Sequence, residues 1–219
     1  MISRRTLLAR SAGLGAGLLA ARVDAAPVLT DDGLYSEPWF LESFLILSED
    51  LEAAAARGKR FAVMWELKGC PFCRDTHLVN FADLAVAGFI KDRFEILQLN
   101  IVGGREAVDF DGERLPEKRM AEKYRVRGTP TVQFFPDASA GLESRAPPER
   151  EVFRMQGYLQ PKDFRTMFAF VADKGYERGT LRDYLKAAGL FSCVQIRCVS
   201  SCTTRDCQSG GALLQVALT

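Results

Sequence analysis

The pair in Cys70-Pro71-Phe72-Cys73 constrains this chain more than any other stretch, because of what lies on either side of it. Ahead of it runs Arg60-Phe61-Ala62-Val63-Met64-Trp65-Glu66-Leu67, apolar enough for a buried strand. Behind it, Phe72, Leu78, Val79, Phe81, Ala82, Leu84, Ala85 and Phe89 are spaced as on one helix running to Ile90. Two cysteines two residues apart therefore sit where a strand hands over to a helix. Helix N-termini expose N–H groups and a partial positive charge that favour an anion. The thiolate is the reactive form of cysteine, so the placement points to thiol–disulfide exchange. Pro71 suits a first helical turn, where its missing N–H would have no partner.

Two blander readings stand beside this one: a structural disulfide, or half of a metal site. A two-residue loop gives little of the stabilisation a structural bridge supplies. Haem attachment would need His directly after the second cysteine, where Arg74 stands.

The 219 residues allow one domain with a substantial core plus appendages. A formal net charge of +1 offers no basic footprint for nucleic acid. No apolar run reaches the roughly 18–20 residues needed to span a bilayer.

Residues 1–25 read as a signal peptide. Ser3-Arg4-Arg5-Thr6-Leu7-Leu8 resembles the twin-arginine export motif, with Leu7 where Phe is more usual. A short, Gly-rich core follows from Ala12 to Ala21, and Val23-Asp24-Ala25 offers small residues for cleavage before Ala26. An ordinary Sec signal with incidental arginines is the alternative route. Either route predicts the periplasm, an oxidising compartment.

Residues 27–36 read as a linker. A helix is expected from Glu37 to about Ala56, with Phe40, Phe44, Leu47 and Leu51 on one face and Gly58 as its stop. Phe94 to Val102 reads as a strand, Gly103 to Glu113 as a loop, and Leu115 to Tyr124 as a helix. Thr131 to Phe135 and Glu151 to Met155 form an expected antiparallel hairpin across a Pro- and Ser-rich loop. Pro161 to Lys174 closes as a helix with Phe164, Phe168 and Val171 on one face. This order predicts an α/β fold, a mixed central sheet flanked by helices, over residues 37–189. Residues 190–219 change character and read as a poorly ordered tail. Cys193, Cys198, Cys202 and Cys207 there lack the usual zinc spacing; disulfide pairing or no role remain open.

These residues carry a family resemblance. Cys70-Pro71-Phe72-Cys73 after a strand, with Gly128-Thr129-Pro130-Thr131 about 60 residues on and a strand following, resembles the thioredoxin superfamily over roughly residues 40 to 175. Trp65 through Cys73, Phe94 through Ile101, and Gly157-Tyr158-Leu159 resemble its periplasmic SoxW group, associated with sulfur oxidation. The resemblance implies a thioredoxin-like fold with Cys70 as nucleophile and Cys73 as resolving thiol. It implies a cis Thr129–Pro130 bond beside the two cysteines, with Thr129 offering its backbone to an extended substrate strand. It also implies a protein disulfide as substrate, a sulfur-oxidation carrier protein as partner, and a membrane electron donor of the CcdA or DsbD kind. No cofactor, metal or nucleic acid is called for, and a monomer is expected.

In thioredoxin a buried acid six positions before the first cysteine helps move the resolving thiol's proton; here Met64 stands there. Glu66 has the same strand parity and is a candidate substitute. A sheet-edge glutamate paired with Lys68 or water is the alternative. Lys68 would favour a neighbouring thiolate, or simply be solvated. His77, the only histidine, follows Cys73 by one helical turn and would tune the thiolate or be a bland surface or packing residue. Gly69 occupies a position where many thioredoxins have Trp. The rival functions are a disulfide oxidase or isomerase using the same residues, and a non-enzymatic binding or chaperone module whose bridge is fixed.

Overall fold

The computed structural model describes residues 26–188. The expected signal peptide and the tail with its four cysteines lie outside them. Among the described residues a four-stranded sheet forms the frame: β3 (Arg60–Glu66), β4 (Phe94–Asn100), β7 (Thr131–Phe134) and β8 (Phe153–Gln156), in the order β4-β3-β7-β8. β3 and β4 are parallel, with Arg60 opposite Phe94 and Glu66 opposite Asn100. β7 runs antiparallel to both β3 and β8, with Trp65 opposite Thr131. The expected mixed α/β sheet flanked by helices is therefore the observed one.

Side chains alternate across a strand, so β3 sends its residues to two cores. Ala62 and Met64 join Ile96, Val132 and Phe134 on one face. That face is covered by α3 (Leu84–Arg93) and α5 (Pro161–Ala172), through Ile90, Phe164 and Phe168. Phe61, Val63 and Trp65 join Leu97, Leu99 and Phe135 on the other, beneath α1 (Leu47–Ala56) and α4 (Glu117–Lys123). Glu66 has the parity of Met64, so it faces the side of the cysteine-bearing helix.

Several expected elements differ. The helix from Glu37 begins only at Leu47. Phe40 packs in the first core and Leu47 and Leu51 in the second, so the chain crosses the sheet edge between them. Leu41 N–H donates to the Ile96 carbonyl of β4, the outer strand, at 2.8 Å, and past that edge Val108 N–H donates to the Leu45 carbonyl at 2.8 Å. Leu45 turns in the left-handed region at φ 62. One straight helix cannot serve both faces, and Phe44, placed on the expected apolar stripe, is 93% exposed.

The helix expected over 72–90 is three pieces. α2 (Pro71–Asp75) runs into a π-helical turn, Thr76–Asn80, closed by Phe81 N–H to the Thr76 carbonyl at 3.0 Å. α3 then restarts behind Asp83, whose carboxylate accepts from Ala85 N–H and Val86 N–H at 2.8 and 3.2 Å. The expected apolar stripe is not the buried face: Phe72, Leu78, Val79 and Leu84 are exposed, while Cys73, Thr76, His77, Asn80, Phe81, Val86, Ala87 and Ile90 are buried.

The expected linker contains a hairpin, β1 (Val28–Leu29) with β2 (Tyr35–Ser36); a second hairpin pairs β5 (Glu106–Val108), in the expected loop after β4, with β6 (Arg114–Pro116), where the helix expected from Leu115 to Tyr124 would start. The second is tied down by buried Asp109, which accepts from Arg150 at 2.7 Å, from Lys123 at 2.5 Å and from the Tyr124 hydroxyl at 2.6 Å. Two short helices, α6 (Gly175–Arg178) and α7 (Leu181–Ala187), follow α5.

Candidate active site

β3 ends at Glu66, and the chain turns through Gly69, whose φ of +78° is in the left-handed region that favours glycine. That backbone need accounts for a glycine at this position. Cys70 N–H donates back to the Leu67 carbonyl at 3.1 Å, and Cys70 becomes the N-cap of α2 with Pro71 in the first turn. Its Sγ accepts the Cys73 N–H at 3.2 Å, one of the four N–H groups a helix start leaves unpaired.

The two sulfurs are unpaired thiols in unlike settings. Cys70 is half-buried at the rim. Cys73 is 5% exposed, and burial pushes its thiol well above the ordinary range; the Cys70 hydrogen bond and the charge of Glu66 add in the same direction. β7 enters the sheet beside β3, which brings the turn before it to the cysteines. The Thr129–Pro130 peptide is cis, and the Cys70 thiol lies 3.6 Å from the Thr129 carbonyl it can donate to. Phe72, half exposed, stacks on Tyr158 with ring centroids 6.1 Å apart, extending an apolar rim past Cys70.

A cleft of about 240 Å³ opens beside the thiols, lined by Cys70, Cys73, Leu67, Leu34 and Tyr35, with Glu66 at its floor. The β1–β2 hairpin forms its outer wall. Asp32 accepts from the Asn100 amide at 3.0 Å, and the Gln98 amide donates to the Tyr35 carbonyl at 2.6 Å.

Glu66 is not a sheet-edge glutamate paired with Lys68, since β3 is an inner strand and Glu66 is fully buried. Lys68 is exposed, with its aliphatic stem over Gly33. The partners of Glu66 are Gln98 and His77; the His77 Nε2 lies 3.1 Å from each carboxylate oxygen. His77 is likewise not at the surface. It is fully buried, and its Nδ1 meets Glu37 Oε1 at 2.9 Å. Burial alone would lower its pKa, but the hydrogen bonds to Glu37 and Glu66 outweigh that and push it up to about 9. Cys70, Cys73, Thr129, Pro130 and Glu66 thus share one end of the sheet, with Lys68 outside. Glu37 and Gln98 carried no local signal, being 40 residues before and 21 after the histidine and joined to the site only by side-chain contacts.

A model of the thioredoxin-like domain family matches residues 47–172. No curated protein matches the chain. Among solved structures, a thioredoxin-fold protein from Helicobacter pylori is 17% identical, covering 64% of this chain and 94% of its own, with a TM-score of 0.48. A thioredoxin from Thermus thermophilus is 27% identical, covering 58% and 84%, with a TM-score of 0.44. The C-terminal domain of Neisseria meningitidis DsbD in the oxidised form is 14% identical, covering 56% and 90%, with a TM-score of 0.39.

Proposed function

This chain belongs to the thioredoxin-like domain family, and we propose that it is a thiol–disulfide oxidoreductase that reduces a disulfide in a partner protein. The observation that carries this reading is the asymmetry of the pair: Cys70 at the rim of a helix N-terminus, Cys73 buried one turn on with its thiol held protonated. Cys70 as thiolate attacks one sulfur of the partner's disulfide, and the other partner sulfur leaves as a thiolate. Cys73 then gives up its proton and attacks Cys70 Sγ, breaking the mixed disulfide. The partner leaves with two thiols, one protonated by the Cys73 proton passed on from its acceptor and the other by water, and Cys70–Cys73 is the new disulfide. Glu66 is the proposed acceptor of the Cys73 proton, and Thr129 with Pro130 the surface that aligns an extended partner strand. Lys68 contributes at most a distant positive charge.

The SoxW resemblance supports a periplasmic setting, a sulfur-oxidation carrier as partner and a CcdA- or DsbD-type membrane donor to restore the dithiol. Residues 1–25 are the proposed export signal, residues 37–189 the working domain and 190–219 a tail. Replacing Arg4 and Arg5 with Lys tests the twin-arginine route: loss of the mature periplasmic form is expected, and unchanged processing would assign the Sec route.

The decisive measurement is the potential of the Cys70/Cys73 couple against a glutathione or dithiothreitol buffer. A reductase is expected near the thioredoxin end of the family span, about −270 mV; a value near about −120 mV would make the protein a disulfide oxidase instead. A bridge that a mild dithiol leaves intact would sink both and leave a binding module.

A further inference from the structure

Of the buried trio Glu37, His77 and Glu66, the proposed dithiol exchange uses only Glu66, which lines the same cleft as the resolving cysteine. His77 presents both ring nitrogens to carboxylates, Nδ1 to Glu37 at 2.9 Å and Nε2 to Glu66 at 3.1 Å. A neutral imidazole has one N–H and one lone pair, so it can satisfy only one carboxylate at a time; an imidazolium donates to both. The Gln98 amide fixes which way the hydrogens point. Its Nε2 sits 2.6 Å from the Tyr35 carbonyl, which only accepts, so this atom is a donor, and its second hydrogen goes to Glu66 Oε2. Glu66 therefore receives donors from Gln98 and His77 and needs no proton of its own. The arrangement is a buried imidazolium between two carboxylates, one negative charge in all, with the Glu66 end opening on the cleft that Cys73 also lines. That cleft has room for a water to carry a proton between them.

We propose that His77, anchored by Glu37, is a positioning residue that keeps the Glu66 carboxylate ionised and aimed into the cleft to take the Cys73 proton. The inference rests on the oxidoreductase reading of Cys70 and Cys73. Without the imidazolium, Glu66 would be a buried charge with only an amide to hold it, and burial would drive it to the neutral acid. A neutral acid cannot accept the thiol's proton, so the second step slows while the attack by Cys70 does not. The titratable groups facing His77 are Glu37 from the segment before α1, Glu66 from β3 and Tyr35 from β2, whose ring centroid is 6.3 Å away. Cys73 from α2 titrates on the far side of Glu66.

The test uses the reduced full-length mature protein, without a histidine tag, mixed in stopped flow with 5,5′-dithiobis(2-nitrobenzoate). Attack by Cys70 releases a first coloured thiolate and resolution by Cys73 releases a second. In His77→Gln the first phase is expected unchanged and the second slowed about 10-fold or more at neutral pH, recovering as pH rises, within the range a positioned acid–base group contributes. Glu37→Gln, which loosens the imidazolium from the side away from the cleft, should slow the second phase less, in the same sense. A second phase with wild-type rate and pH profile in both variants overturns the proposal. Because His77 is the only histidine in the chain, ¹⁵N-histidine NMR of the wild type gives an independent readout if a variant fails to fold: an imidazolium at pH 7.5 is expected, and a neutral ring there overturns the inference. A wild type that releases only one thiolate would instead defeat the underlying oxidoreductase reading.

Discussion

Cys70 and Cys73 differ by one helical turn and by what surrounds each sulfur. Limiting iodoacetamide near neutral pH should therefore label Cys70 first, read by peptide mass spectrometry, and dominant labelling of Cys73 would reverse the proposed roles. Cys73→Ser should accumulate mixed disulfides through Cys70. His77 makes a second prediction, about stability. Its folded pKa, about 9, lies above its ordinary 6.5, because the hydrogen bonds to the two carboxylates outweigh burial. The stabilisation from this charge is fully present below about pH 6.5 and is lost as pH rises through about 9, amounting to on the order of 1–3 kcal/mol. Urea denaturation of wild type should lose stability over that window; His77→Gln should start lower and show a flatter profile. A wild-type curve no steeper than the variant's would remove the imidazolium from the folded state.

Short elements, rather than the large helices, shape the approach to the thiols. Gly69 bridges β3 and α2 at a positive φ with open space where a Cβ would stand, so backbone strain alone opposes substitution there. Gly69→Ala should cost about 1 kcal/mol in chemical denaturation, the typical penalty for a non-glycine residue in that region, with the dithiol still reactive. The β1–β2 hairpin walls the cleft through few contacts, among them the Asp32–Asn100 hydrogen bond of 3.0 Å. Asp32→Ala should cost about 0.5–1.5 kcal/mol and expose the cleft, seen as faster alkylation of Cys73 in Cys70→Ser protein. An unchanged alkylation rate would mean the hairpin does not limit access.

Both cores share one sheet, and β3 and β4 contribute to both, so neither layer keeps its partner surface if the other melts. The two tryptophans report separately: Trp39 packs against the core beneath α3 and α5, while Trp65 lies in the core beneath α1 and α4. Fluorescence of Trp39→Phe and Trp65→Phe proteins in urea should give a single transition each, coincident with far-UV circular dichroism of the same variant. Non-coincident transitions would show the layers unfolding independently. In either background Phe168→Ala should cost about 3–5 kcal/mol through the cavity it leaves.

Features carried by neighbours along the chain were legible in the residues. The strand before Cys70, the helix start at Pro71, the Thr129–Pro130 turn with its following strand, and the closing helix with Phe164 and Phe168 all announce themselves within a dozen positions. The mixed sheet follows from their order. What was not legible came from contacts between distant segments. Apolar spacing over Phe40 to Leu51 looked like one helix because periodicity does not say which face each residue will meet, and here the chain changes faces at the β4 edge. The break at Thr76–Asn80 turns Thr76, His77 and Asn80 inward and leaves Leu78 and Val79 exposed, the reverse of what apolar spacing suggests. Glu66 looked like a candidate acid because strand parity is local; its burial depended on β7 and β4 flanking β3. His77 became a charged partner only when folding set Glu37 and Glu66 on either side of its ring. Strand and helix periods are properties of a few successive residues, whereas a buried charge is set by everything that excludes water from it.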